Sequence, residues 1–185
     1  MGQRGTLASK GPYKMVYIAL LVTFALVLHL IEQALPSPFV LPGAKLGLAN
    51  IITLLALIIF GFKDGLMVAI LRTFLGSLLA GTIFGFPFYL SFAGAVVSTI
   101  VMQFGIFLKN KGLISLIGVS LLGASSHNVA QLVVASIIMN QFGIFFVYLP
   151  YLLAFAIPTG FFTGLVTIFL ERIVRNNLSK VVRSG

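Results

Sequence analysis

The chain has 185 residues and few charges: 8% of its residues are Asp, Glu, Lys or Arg, whereas 59% are hydrophobic. A soluble domain has about 25% charged residues, and a soluble fold of this size has too much surface to cover with so few. The composition therefore indicates a membrane protein. The lack of cysteine excludes disulfides, thiolate nucleophiles and cysteine-based zinc sites.

Six segments are apolar enough to cross a bilayer, which takes about 20 residues. In chain order they cover residues 14–35, 46–62, 65–84, 88–108, 113–139 and 143–170. The predicted fold is therefore an all-α bundle of six transmembrane helices, forming one domain over residues 14–170. Residues 1–13 are expected to be a cytoplasmic N-terminal tail, and residues 171–185 a basic cytoplasmic C-terminal tail.

The basic residues predict the orientation of the bundle, because cytoplasmic segments carry an excess of Lys and Arg. One side of the membrane receives Arg4, Lys10, Lys14, Lys63, Lys109, Lys111, Arg172, Arg175, Lys180 and Arg183. The opposite side receives Lys45. Both termini are therefore predicted to be cytoplasmic, in the inner (plasma) membrane of a prokaryote. A net charge of +9 would also fit a nucleic-acid-binding protein, but these bases lie at membrane edges and exclude that function.

The first outer loop, residues 36–45, is long, apolar and rich in proline, and is the best candidate for a lid over a cavity. Polar residues flank it: His29 and Glu32 precede it, and Lys45 and Asn50 follow. Lys45 could pair with Glu32 or with an anionic ligand. The alternative is that Glu32 and Lys45 simply lie in the hydrated interface.

The fifth segment carries the densest polar group within the predicted membrane, formed by Ser125, Ser126, His127, Asn128 and Gln131. Such residues are costly in hydrocarbon and often mark functional sites. His127 and Gln131 are four residues apart and share a helix face. The favoured interpretation is the polar wall of a ligand cavity, and the alternative is hydrogen bonding between helices.

Three further features have two interpretations each. Arg72, within the third segment, is expected to extend to the cytoplasmic headgroups rather than to bind a buried acceptor. Tyr148 and Tyr151 could line a cavity or belong to the interfacial aromatic belt. Ala19 and Thr23 are small residues four apart, a spacing that permits close helix contact, either within the bundle or with a partner.

Missing motifs argue against catalysis by this chain alone. No Gly-x-x-x-x-Gly-Lys-[Ser/Thr] stretch exists, so the chain has no P-loop for ATP hydrolysis. With Asp64 as its one aspartate, it cannot carry the paired aspartate-rich motifs that hold magnesium diphosphate. No enzymatic activity, metal site or cofactor is therefore expected, which leaves binding, transport or a structural role.

Four runs of residues resemble a known family. They are Pro42–Ile51 (PGAKLGLANI), Leu71–Ser77 (LRTFLGS), Ser91–Gly94 (SFAG) and His127–Leu132 (HNVAQL). These runs resemble the Gx transporter family, which is labelled heptaprenyl diphosphate synthase component I, and the resemblance covers about residues 14–170. That family is similar to the substrate-binding (S) components of energy-coupling factor (ECF) transporters.

The resemblance implies a six-helix bundle with cytoplasmic termini, in which the first outer loop and the last three helices enclose the ligand. It also implies that small residues on the first helix meet a transmembrane coupling subunit, driven by two cytoplasmic ATPases. Ala19 and Thr23 stand where the family pattern has Ala-x-x-x-Ala, and they approximate it.

Two functions follow as hypotheses. The first is a substrate-binding transport subunit that captures a small, largely apolar ligand, whose polar groups meet Lys45, Asn50, Asn128 and Gln131, with His127 at the cavity floor. The second is a non-transporting membrane subunit that supports a quinone-, isoprenoid- or flavin-linked redox or biosynthetic complex. A third hypothesis, an enzyme acting on a lipid-linked diphosphate, is disfavoured. Its candidate phosphate contacts, Arg72 and Lys45, are predicted near opposite membrane faces.

Overall fold

The computed structural model describes residues 11–34 and 47–183, with side chains described over 14–34 and 47–176. These ranges form six α-helices: α1 (Gly11–Ala34), α2 (Asn50–Phe60), α3 (Phe62–Leu79), α4 (Phe86–Asn110), α5 (Leu116–Ile138) and α6 (Gly143–Arg183). The predicted all-α fold is confirmed for this part of the chain. Four of the helices, α1, α4, α5 and α6, are long and apolar enough to cross a membrane. The predicted lid, with Lys45, lies outside the described residues.

The junction between α2 and α3 is a single residue, Gly61. Its φ of 94° lies in the left-handed region that favours glycine, and its N–H donates to the Leu57 carbonyl at 3.1 Å. α2 therefore ends after 11 residues, about 16 Å at 1.5 Å per residue. The second predicted segment, 46–62, is longer at both ends, because apolar residues continue before Asn50 and past Gly61 and hydropathy detects neither end of this helix.

The later helices begin and end for local reasons. Pro87 stands in the first turn of α4, where its missing N–H costs nothing. Ser115 caps α5 by accepting a hydrogen bond from the Gly118 N–H at 3.1 Å. α6 continues to Arg183 through residues that the sequence assigned to a tail. An ion pair between Arg175 and Glu171, one turn apart at 2.8 Å, supports that continuation.

α5 is the central helix and packs most extensively against α4 and α6. Glycines permit the close contacts: a Cβ atom on Gly160 of α6 would stand 2.9 Å from the Leu121 Cα of α5. Ser120 and Thr163 form a hydrogen bond of 2.6 Å across the same interface. In contrast, α1 contacts only α2 and α3 within the described ranges.

Large apolar side chains cover the outside of the bundle. Among the most exposed are Phe104 on α4 and Phe146 and Phe169 on α6. A soluble monomer rarely exposes so much contiguous apolar surface, so these faces are suited to contact with lipid.

Candidate functional site

A group of buried polar side chains lies where α1, α2, α3 and α5 meet. Glu32 comes from α1, Asn50 from the start of α2, Arg72 from α3 and His127 from α5, and each is at most 8% exposed. Four such groups inside a largely apolar bundle are costly unless they pair with one another or with a ligand. We call these four residues the polar cluster.

Glu32 connects the end of α1 to the start of α2. Its Oε1 accepts hydrogen bonds from the backbone N–H groups of Gly47 and Leu48. A carboxylate near a helix C-terminus opposes the helix dipole, and these two donors from the neighbouring chain segment offset that cost. The partner considered in the sequence, Lys45, lies outside the described residues.

Arg72 points into the bundle, so the expectation that it extends to the cytoplasmic headgroups is wrong. It is 2% exposed, and its Nη2 donates to the Asn50 Oδ1 at 2.9 Å. Glu32 lies near enough to attract the guanidinium electrostatically. Arg72 shares a helix face with Val68 and Gly76, both buried, so its side chain leaves α3 towards the interior. A polar acceptor and a counter-charge inside the bundle therefore replace the headgroups.

Two glycines make room for the imidazole of His127. A Cβ atom on Gly94 of α4 would stand 2.7 Å from the His127 Cε1, closer than van der Waals contact allows. Gly47 has a φ of 80°, and a Cβ atom there would lie 3.0 Å from the Asn50 Nδ2 and 3.6 Å from the His127 Cδ2. Gly47 is therefore the point at which Glu32, Asn50 and His127 come together.

Asn128 and Gln131, each 2% exposed, are also buried on α5. The Asn128 Nδ2 donates to the Leu152 carbonyl of α6 at 2.9 Å. This bond is of the interhelical kind that the sequence analysis gave as the alternative to a cavity wall. That bond also fixes the orientation of the amide. No partner for the Asn128 Oδ1 is found in the described part of the chain, so this side chain retains an acceptor beyond its packing role.

The two tyrosines of α6 differ in position. Tyr148 is partly buried and packs against the pair Leu132 and Leu152. Tyr151 is 63% exposed, so its side chain lies on the surface of the bundle. For Tyr151 the aromatic-belt alternative fits the structure, and the cavity-lining prediction does not.

Ala19 and Thr23 lie on the surface, in a groove between α1 and α3. The groove has a volume of about 400 Å³ and is lined by Met15, Ile18, Ala19, Val22, Thr23, Met67 and Leu71. The Thr23 hydroxyl donates to the Ala19 carbonyl at 2.9 Å, so it is satisfied within its own helix. The groove consequently presents an almost entirely apolar surface.

Sequence reasoning had no means of finding the pairing of Arg72 with Asn50. The two residues are 22 positions apart, and no periodicity relates them. A weaker signal was present in the small and hydroxyl residues around Arg72, which mark the packed face of α3: Ala69, Thr73, Gly76 and Ser77.

Comparison with known proteins identifies the family of this chain. The family described as heptaprenyl diphosphate synthase component I matches residues 21–170. Among solved structures, the chain is similar to the S component of a bacterial ECF transporter, with a TM-score of 0.58 and 20% identity, over 89% of this chain and 98% of that chain. This likeness shows a shared fold. No curated protein is significantly similar in sequence. The chain belongs to the family described as heptaprenyl diphosphate synthase component I.

Proposed function

We propose that this protein is the substrate-binding subunit of an ECF-type transporter. It would capture a small, largely apolar ligand from the outer side of the membrane for uptake driven by partner ATPases. The observation that carries the proposal is the polar cluster, with Asn128 and Gln131 beside it, inside a fold shared with an S component. A ligand site in such proteins is mostly apolar with a few placed polar groups.

The word synthase in the family's description implies a reaction for which the described residues offer no machinery. They contain no group of three or more His, Cys, Asp or Glu side chains placed to hold a metal ion. The S-component fold belongs to a transport protein rather than an enzyme. A binding role therefore accounts for the buried polar residues better than catalysis does.

The proposed topology has six membrane crossings and both termini in the cytoplasm. Lys14 and Asp64 form an ion pair of 2.9 Å, which puts the beginnings of α1 and α3 at the same end of the bundle. Lys109, near the end of α4, and Arg175, late in α6, fall at the same end if successive helices alternate in direction. This concentration of bases is the feature expected of a cytoplasmic face.

The proposed ligand contacts are Asn50, His127, Asn128 and Gln131, with Glu32 at the base of the first outer loop and Lys45 on that loop.

The test of these contacts replaces Gln131 by Leu, which has a similar size but removes the buried polar group. We expect the variant to insert and fold but to lose the small molecule that native mass spectrometry detects on the wild-type protein. Ser126→Ala is the control, because the Ser126 hydroxyl donates within its own helix, to the Gly123 carbonyl. Unchanged retention by the Gln131 variant would contradict the proposal.

The proposed partners are a transmembrane coupling subunit and two cytoplasmic ATPases, docking at the groove between α1 and α3. Gentle purification of the tagged protein from its native membrane should recover ATPase subunits. Their consistent absence would count against transport. Recovery of redox proteins in their place would favour the alternative, a non-transporting subunit of a quinone-, isoprenoid- or flavin-linked complex.

A further inference from the structure

The bond between Arg72 and Asn50 fixes the orientation of the Asn50 amide. A guanidinium nitrogen can only donate, so the Asn50 atom at 2.9 Å from the Arg72 Nη2 must be the carbonyl oxygen. The Asn50 Nδ2 is therefore the other end of the amide, and it lies over Gly47. This assignment follows from the partner chemistry alone.

Two buried donors flank this bond. Within residues 14–34 and 47–176, neither the Asn50 Nδ2 nor the Arg72 Nε has a hydrogen-bond partner. Nε and Nη2 lie on one edge of the planar guanidinium, so the Arg72 Nε–H is carried on the same edge as the nitrogen that bonds Asn50. A buried donor without a partner costs about 1–3 kcal/mol. The group that would satisfy both atoms must be an acceptor.

The charges of the polar cluster indicate what kind of acceptor it is. The Arg72 guanidinium is attracted by the carboxylate of Glu32. The Glu32 carboxylate in turn accepts two backbone N–H groups. Because Arg72 already faces this carboxylate, an anionic group beside it would be repelled by Glu32 and would lose its hydration, at a cost of several kcal/mol. An uncharged oxygen has no such cost.

We propose that Arg72 and Asn50 together bind an uncharged oxygen acceptor, such as a ketone or amide carbonyl, on a largely apolar ligand. The inference rests on the proposed function, since it requires a ligand in the bundle. It adds Arg72 as a ligand contact and assigns the chemical class of the ligand's polar group. Arg72 would then bind Asn50 through Nη2 and the ligand through its Nε–H.

Two conservative variants separate this role from a structural one. Asn50→Asp keeps an oxygen acceptor for Arg72 and keeps the side-chain volume, but it replaces the Nδ2 donor with a second acceptor and adds a carboxylate charge. Arg72→Lys keeps the positive charge and removes the Nε–H. The control is Gln103→Glu, which makes the same amide-to-carboxylate change in α4 at another side chain with a buried amide oxygen.

The experiment measures binding of three matched probes to the detergent-solubilised full chain by titration and by the shift in unfolding temperature. The probes are tetralone, which carries a carbonyl, tetralin, which carries no polar group, and tetralin carboxylate, which is anionic. We expect wild type to bind tetralone most tightly. Each site variant should weaken tetralone binding about tenfold, the loss expected for one buried hydrogen bond, and leave tetralin binding unchanged. Gln103→Glu should behave as wild type.

Several results would overturn the assignment. Tetralone binding that is equal in wild type and both variants would make the Arg72–Asn50 pair purely structural. Equal affinity for tetralone and tetralin, or no binding of any probe, would remove the carbonyl site, and tightest binding of the carboxylate would replace it by an anion site. Unfolding without probe shows whether each variant is folded. Failure of the proposed transport function would appear separately, as absence of ATPase subunits from the wild-type complex.

Discussion

At the scale of single residues, glycines determine where the polar groups of the site lie. His127 is buried because Gly94 and Gly47 leave space on two sides of its ring. A side chain at either position would displace the imidazole, since protein interiors are close-packed and absorb little extra volume. The contribution of these glycines is therefore steric, and a methyl group is enough to test it.

Gly94→Ala should destabilise the protein and disturb the site. The added methyl group would meet the His127 Cε1 at 2.7 Å, and overpacking of this kind costs about 1–3 kcal/mol. Thermal unfolding in detergent should show a lower midpoint than wild type, with reduced retention of the bound small molecule. Gly143→Ala is the matched control, because nothing lies within 4 Å of a Cβ atom there. An unchanged midpoint for Gly94→Ala would mean that His127 has another position available.

At the scale of helices, α1 is the element least integrated into the bundle. Within the described ranges it packs on α2 and α3 and not on the central helix α5 or on α4. Its outward face carries exposed apolar side chains at helical spacing, including Val16, Leu20 and Phe24. The groove beside α3 adds the small residues Ala19 and Thr23. This combination lets a partner helix approach the backbone of α1 closely.

Thr23→Leu should therefore weaken assembly with a coupling subunit without unfolding the protein. The larger side chain would fill the groove, whereas the position is exposed and needs no repacking inside the bundle. We expect at least tenfold less ATPase to co-purify, equivalent to about 1.4 kcal/mol. Phe24→Leu is the control, since Phe24 is an exposed neighbour on α1 that does not line the groove. Equal losses from both variants would mean that lipid contact, and not docking, is affected.

The helices themselves were largely predictable, whereas the contacts between them were not. Hydropathy reports the free energy of transfer to lipid, and this quantity located all six helical segments. It put the break between α2 and α3 at Lys63 and Asp64, which in fact lie in the first turn of α3. It could not show that α6 continues past Glu171, because charges end a membrane span but not a helix. It also could not show which face of α3 is buried. Arg72 was misplaced for that reason, since its acceptor, Asn50, lies on another helix.

At the scale of the whole molecule, the polar cluster and the groove between α1 and α3 are separate regions that share these two helices. The polar cluster joins the end of α1 to the start of α2 through Glu32. At the other end of α1, Lys14 pairs with Asp64 at the start of α3. The exposed groove lies between these two attachments, where the buried residues Ile18 and Val22 also pack the middle of α1 against the core. A partner that binds the groove therefore contacts helices that also hold the polar cluster.

The proposed orientation of the whole molecule has a direct test, because the chain contains no cysteine. Asn110→Cys, at the end of α4 where the turn into α5 begins, and Asn140→Cys, in the turn after α5, each introduce one exposed thiol. α5 has 23 residues, so these turns are separated by about 34 Å at 1.5 Å per residue, enough to span the hydrocarbon core. On intact cells, a membrane-impermeant maleimide should label Asn140→Cys and leave Asn110→Cys unlabelled. Permeabilised cells should label both, and the reverse pattern on intact cells would place the termini outside.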